Sequence, residues 1–107
     1  MSKKYTFNPE TRYMTCGINE KIPLAVQVFI WNEIDKLLEY DIEADYLQVF
    51  DIKVFDQYIE IVHRQEVPDY NRIHRLKKNE MLNEIESTTI FVIDDEDHST
   101  MLLSSEY

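Results

Sequence analysis

The chain has 107 residues, with 21 acidic and 11 basic residues for a net charge of −10, and 44% of it is hydrophobic, which predicts one folded domain over residues 1–107. The acidic balance disfavours direct nucleic-acid binding, while the single Cys16 and single Gly17 exclude an internal disulfide, a cysteine metal cluster and glycine-rich nucleotide-binding loops. No apolar run approaches the roughly 18 residues of a membrane span and no secretory signal follows Met1, so we expect a cytoplasmic protein without membrane contact.

The amino-terminal part of the chain predicts a loose lead-in followed by a strand. Residues 1–10 contain a turn signal at Asn8, which precedes a proline, and we expect them to be flexible. The segment from Arg12 to Cys16 has aromatic and β-tolerant residues. It is therefore predicted as a strand that ends at Gly17, with Cys16 as a small strand side chain.

The segment from Ile22 to Tyr40 has the clearest helical periodicity and predicts the principal helix. Pro23 suits its first position, where the missing N–H costs nothing. At about 100° per residue the apolar side chains share one arc, which is broad enough to pack on a sheet. These side chains are Leu24, Val26, Val28, Ile30, Trp31, Ile34, Leu37 and Leu38. We expect Trp31, in the middle of the arc, to anchor the core.

Two aromatic residues of this helix fall outside the apolar arc. Phe29 and Tyr40 lie among polar positions, flanked by Glu33 and Lys36. An aromatic anchor with a charged rim is typical of a protein interface, so these four residues form the candidate interaction site. The alternative is that Phe29 is buried within the chain, with residues 1–10 folded over it.

Two segments have the strongest strand character, and they predict a hairpin. Tyr46 to Phe55 and Tyr58 to Gln65 are joined across a turn at residues 56–57. Symmetric pairing about this turn places Ile52 opposite Ile61 and makes one face nearly all apolar. We expect that face to receive the helix.

The remaining elements complete an α+β fold. Pro68 ends the hairpin, and the segment from Ile73 to Lys77 reads as an edge strand whose charges discourage edge pairing. Residues 79–86 could form helical turns or a loop. Thr88 to Ile93 reads as a central strand and Ser99 to Leu103 as the last one. The prediction is one principal helix packed on a largely antiparallel sheet of about five to six strands.

Two groups of polar residues have side chains that could take part in chemistry. The run from Asp94 to His98 is rich in oxygen ligands but lacks the glycine and ligand spacing of a calcium loop, so it is predicted to be a solvated turn. In the run from His63 to Glu66, alternate side chains face opposite sides of a strand. His63 is therefore predicted to be a hydrogen-bonded residue at the rim of the core. We expect no catalytic, cofactor-binding or metal-binding residues.

Short motifs spread from Arg12 to Tyr107 occur together in this chain. They are Arg12-Tyr13-x-Thr15-x-Gly17-Ile18, Ile22-Pro23-Leu24, Asp45-Tyr46-Leu47-Gln48-Val49-Phe50, His63-Arg64-Gln65-Glu66-x-Pro68-x-Tyr70, Ile93-Asp94-Asp95, Ser99-Thr100-Met101-Leu102-Leu103 and Glu106-Tyr107. Their combination resembles a small family of uncharacterised proteins, a domain of unknown function, found in Gram-positive bacteria and their phages. The resemblance supports a single cytoplasmic domain and implies no particular activity.

Basic residues are concentrated in one place, which we call the basic cluster: Arg72, His74, Arg75, Lys77 and Lys78. Such a block is either a solvated face or a partner surface. One hypothesis is therefore a non-enzymatic protein-binding or self-associating module, using the Phe29 face or the edge strand. Another is an acidic inhibitor that imitates nucleic acid and occupies a basic groove on a host or phage-defence protein. A metal-dependent enzyme ranks below both.

Overall fold

The computed structural model describes residues 5–79, 82 and 84–107, which form a six-stranded sheet with the principal helix on one face. The strands are β1 (Arg12–Met14), β2 (Leu47–Val54), β3 (Tyr58–Gln65), β4 (Tyr70–Lys77), β5 (Thr88–Asp94) and β6 (Ser99–Leu103). The helices are α1 (Cys16–Lys21) and α2 (Leu24–Glu39), with 3-10 turns at Pro9–Thr11 and Ser104–Glu106. Within the described ranges, no helix is long and apolar enough to cross a membrane.

The strands lie in the order β1-β6-β5-β2-β3-β4. All neighbours are antiparallel except β1 and β6, which are parallel. This arrangement confirms the predicted α+β class and places β5 inside the sheet. Helical turns or a loop were predicted at residues 79–86, of which Glu80, Met81 and Asn83 lie outside the described residues. Leu82 and Ile85 of the same segment are buried in the core.

The predicted hairpin between β2 and β3 is confirmed in its register. Ile52 lies opposite Ile61, and both side chains are buried. At the turn, the Phe55 N–H donates to the Tyr58 carbonyl at 2.9 Å, and the two rings stack with centroids 4.8 Å apart. Because the side-chain period is two, this register fixes which face of both strands meets the helix.

The bounds of α2 agree with the prediction, but its buried face is rotated. The buried residues are Val26, Gln27, Ile30, Glu33, Ile34 and Leu37. Leu24 and Val28 are 69% and 49% exposed, so their assignment to the core was wrong. The helix lies across the middle of the sheet, and the polar flank with Glu33 is covered because β4 extends the sheet beneath it.

Trp31 is not the core anchor that the arc predicted. It lies at the margin of the buried face and is only partly buried. The Arg12 guanidinium lies 4.7 Å from the centroid of its ring, and the same group contacts the Asp35 carboxylate at 2.5 Å. Trp31 therefore forms a cation–π contact with Arg12, which links α2 to β1.

The lead-in is anchored at Phe7, so the prediction of flexibility does not hold at this residue. Its side chain is fully buried in the core. Its N–H donates to the Asp94 carboxylate at 3.0 Å, and its carbonyl accepts from Arg12 at 2.8 Å. These bonds support a backbone φ of 47°, which is uncommon for a bulky residue.

The first strand ends earlier than predicted. Met14 is its last residue, Thr15 caps α1, and Cys16 is an exposed helical residue instead of a strand side chain. A Cβ on Gly17 would lie 2.7 Å from the Glu106 carboxylate, so glycine permits this close approach. The Thr15 hydroxyl donates to that carboxylate at 2.7 Å and, as the main cause, holds the pKa of Glu106 below its usual value.

Candidate functional site

The predicted interaction site lies on the side of α2 that faces β4. The Phe29 ring is half-buried and meets the ring of His74 edge-on, with centroids 5.2 Å apart. Glu33 is only 1% exposed, whereas Lys36 and Tyr40 are accessible. All four residues thus lie along one side of the helix, but Phe29 and Glu33 are engaged within the chain.

The buried Glu33 carboxylate links α2 to β4. His74 Nε2 lies 2.5 Å from Glu33 Oε1, and Lys36 Nζ lies 3.2 Å from Glu33 Oε2. Lys36 brings a cation to the carboxylate, and His74 does so when its imidazole is protonated. Assigning Glu33 to an exposed rim was wrong, because β4, distant in sequence, covers it.

A second link between helix and strand involves the accessible residues. The Arg72 guanidinium lies 5.2 Å from the centroid of the Tyr40 ring. Tyr40 is still half-exposed, and the neighbouring Lys36 side chain is 52% exposed. The end of α2 therefore continues the surface of β4 instead of forming a separate patch.

A chain of amide side chains runs through the core beside this contact. Gln65 Nε2 donates to the carbonyls of Glu43 and Pro68 at 3.0 and 2.8 Å, so its Oε1 must accept. It accepts from Gln48 Nε2 at 2.7 Å. Gln48 Oε1 in turn lies 2.7 Å from His63 Nε2, which fixes the Nε2–H form of the imidazole.

His63 is hydrogen-bonded, as predicted, but it lies inside the core and not at its rim. Its side chain is fully buried, and burial, followed by the charges of His74 and Arg72, lowers its pKa to about 3. An imidazole with such a pKa is neutral at neutral pH and is a weak proton acceptor.

The acidic turn uses its carboxylates to fix its own backbone. Asp94, which is buried, accepts from the Glu96 N–H at 2.9 Å. Asp95 accepts from the N–H groups of Asp97 and His98 at 3.0 and 2.8 Å, and the bond from His98 is the main cause of its lowered pKa. In the described parts of the chain, no three acidic, histidine or cysteine side chains are grouped as metal ligands.

The edge strand β4 leaves one side of its backbone free. It has eight residues, three more than predicted, and among the described residues it pairs only with β3. The Lys78 N–H donates to the Gln57 carbonyl at 3.0 Å, and hydrogen-bonded pairs alternate from there along the antiparallel ladder. The main-chain groups that point away from β3 are those of Asn71, Ile73, Arg75 and Lys77, which we call the outer row.

The outer row is exposed and positively charged. Ile73 is 59% exposed, and the Arg75 side chain is 67% exposed, 3.4 Å from Glu60. The basic cluster therefore occupies the free edge of the sheet in a protein of net charge −10. The sequence predicts both the charges and the edge strand, but the aromatic residues of the helix are the stronger interface signal within it.

Comparisons with known proteins place the chain in a family. The family model described as a Staphylococcal protein of unknown function (DUF960) matches residues 11–106. The chain belongs to this family. The predicted membership in a Gram-positive family of unknown function is thereby confirmed.

A crystal structure of a protein of unknown function from Enterococcus faecalis has the same fold. Its TM-score is 0.79 at 24% identity, covering 100% of this chain and 98% of that chain. Among curated proteins there is no significant match. Since neither description gives an activity, function has to be argued from the geometry of the chain.

The contact between Glu33 and His74 predicts an asymmetric mutational effect. We expect His74→Leu to lower the free energy of unfolding by about 3 to 5 kcal/mol, because it leaves a buried carboxylate without its nearest polar partner. Glu33→Leu combined with His74→Leu should recover most of this loss. His98→Leu, at an exposed ion pair, should change stability by less than about 1 kcal/mol. Urea unfolding measures all three, and an equal loss in the single and double variants would contradict the role of Glu33.

The low pKa of His63 predicts a pH dependence of stability. Below about pH 6.5 the unfolded chain protonates this imidazole, whereas the native protein resists protonation until about pH 3. Stability should therefore fall as pH falls through this window, by up to about 1.4 kcal/mol per pH unit. His63→Gln should flatten the slope, while the exposed control His98→Gln should retain it. Equal slopes in urea unfolding of the parent and His63→Gln would refute this account.

Proposed function

We propose that this protein is a non-enzymatic, cytoplasmic protein-binding module that pairs with an extended acidic segment of a partner protein along the free edge of β4. The observation that carries the proposal is the outer row, with its unpaired main-chain donors and acceptors on a strand bearing the basic cluster. A partner segment added there would continue the antiparallel sheet through main-chain hydrogen bonds.

The charge of the edge supports an acidic partner. Arg75 and Lys77 belong to the outer row, and Arg72 lies between its members on the helix-facing side of β4. The rest of the chain is strongly acidic and repels carboxylates. An acidic segment would therefore be steered to β4 and away from the other surfaces.

The same charges argue against self-association through this edge. Charged side chains on edge strands prevent unwanted pairing. Pairing of β4 with β4 of a second copy would bring two basic clusters together, which is unfavourable, whereas an acidic strand meets complementary charge. The basic edge therefore supports a heterologous partner over a homodimer at this site.

The helix residues of the predicted interaction site support this surface from one side. Phe29 and Glu33 contact His74 and hold the strand in place. Tyr40 and Lys36 remain accessible beside Arg72, so side chains on the helix side of an added strand would meet them. The proposed interface thus keeps the predicted residues but moves its centre from the helix to β4.

The proposal is tested with a capped peptide that alternates Glu and Val, and with a matched peptide that alternates Lys and Val. In titrations of ¹⁵N-labelled protein, the Glu peptide should shift the amide signals of the outer row, and its affinity should fall as salt rises. The Lys peptide should leave these signals unchanged. Equal responses to both peptides, or Glu-peptide shifts confined to other surfaces, would contradict the proposal. Binding of the Lys peptide alone, on the acidic surfaces, would also contradict it and is the result expected for an acidic inhibitor.

Two variants test separately how much the main-chain hydrogen bonds and the side-chain charges of β4 contribute to binding. Ile73→Pro removes an outward N–H while leaving the hydrogen bonds to β3 intact, and it should abolish binding of the Glu peptide. The charge reversal Arg75→Glu/Lys77→Glu should weaken binding at least tenfold. Lys21→Glu/Lys53→Glu makes the same charge change elsewhere on the exposed surface and should retain most of the affinity.

A further inference from the structure

A cleft of about 750 Å³ opens at the corner where α1 meets α2, next to the start of β5 and the end of β6. None of its lining residues belongs to β4, so it is separate from the edge proposed above. Its walls combine apolar side chains, including Ile22, Leu24 and Leu103, with polar ones. A mixed lining of this kind suits a small ligand with both an apolar and a polar part.

The most buried polar side chain among those lining the cleft is Gln27. It is only 7% exposed and belongs to the buried face of α2, where a polar side chain is unusual. Its Nε2 donates to the Ile22 carbonyl at 2.9 Å, which fixes the orientation of the carboxamide. Among the described residues, none donates to its Oε1. The side chain therefore presents an acceptor to a donor that enters the cleft.

The charged residues of the cleft favour a cation. Glu20, Glu84 and Glu86 line it together with one basic residue, Lys21. Carboxylates and a free carbonyl oxygen accept hydrogen bonds from an ammonium group and disfavour an anion. The apolar part of the wall provides a surface for methylene groups.

We propose that this cleft binds a small aliphatic diamine. One ammonium group donates to Gln27 Oε1, the methylene chain lies along Ile22 and Leu24, and the second ammonium group meets Glu84 and Glu86. The proposal adds a small-molecule site to the chain and does not depend on peptide binding at β4.

The test uses 1,4-diaminobutane, followed by calorimetry and by the side-chain amide signal of Gln27 in ¹⁵N-labelled protein. The diamine should bind and shift that signal, whereas 1,4-butanediol, which has the same length but no charge, should do neither. Glu84→Gln/Glu86→Gln should weaken the diamine about tenfold or more.

Glu39→Gln/Glu43→Gln provides the matched control, because it removes the same charge from exposed positions outside the cleft. This variant should bind the diamine as tightly as the parent. Equal weakening in both double variants would show a general attraction of amines to an acidic protein and overturn the proposal. Absence of binding, or binding with no change in the Gln27 signal, would overturn it as well.

Discussion

The contact of α2 with β4 determines how the open edge of the sheet is presented. Glu33 is buried between the two elements, within reach of His74 on the strand and Lys36 on the helix. A buried carboxylate is unfavourable without nearby cations, so this contact ties the position of the strand to that of the helix. Because the helix holds the strand from its inner face, the outer edge is left available for pairing.

The two edges of the sheet differ in a way that points to function. β1 has three residues, and the Arg12 side chain at its start is tied to Phe7 and Asp35. β4 has eight residues and pairs on one side only within the described chain. Natural sheets keep their edges short, covered or charged. The long edge of β4 is protected by its basic side chains, which leaves it open to a partner strand of opposite charge.

Local patterns were sufficient to predict the hairpin and the bounds of the principal helix. The register of β2 and β3 followed from the apolar alternation around Ile52 and Ile61, because a slip of one residue would expose these side chains. The bounds of α2 followed from Pro23 and the helical period. Both signals lie within short stretches of sequence.

Features that depend on distant segments could not be read from the sequence. Glu33 looked exposed because its partner His74 lies on another element. The burial of Phe7 depends on Asp94, and the need for Gly17 depends on Glu106 at the other end of the chain. The hydrophobic periodicity of a short segment does not encode such contacts. The sequence therefore predicted a site centred on the helix, whereas the proposed site is centred on β4.

The most direct test of the central claim is amide hydrogen exchange along β4, measured residue by residue in the protein alone. A free edge predicts slow exchange at Arg72, His74 and Leu76, which bond to β3, and fast exchange at Asn71, Ile73 and Arg75, which point outward. Uniform protection along the strand, or the opposite alternation, would contradict the free edge on which the proposed function rests.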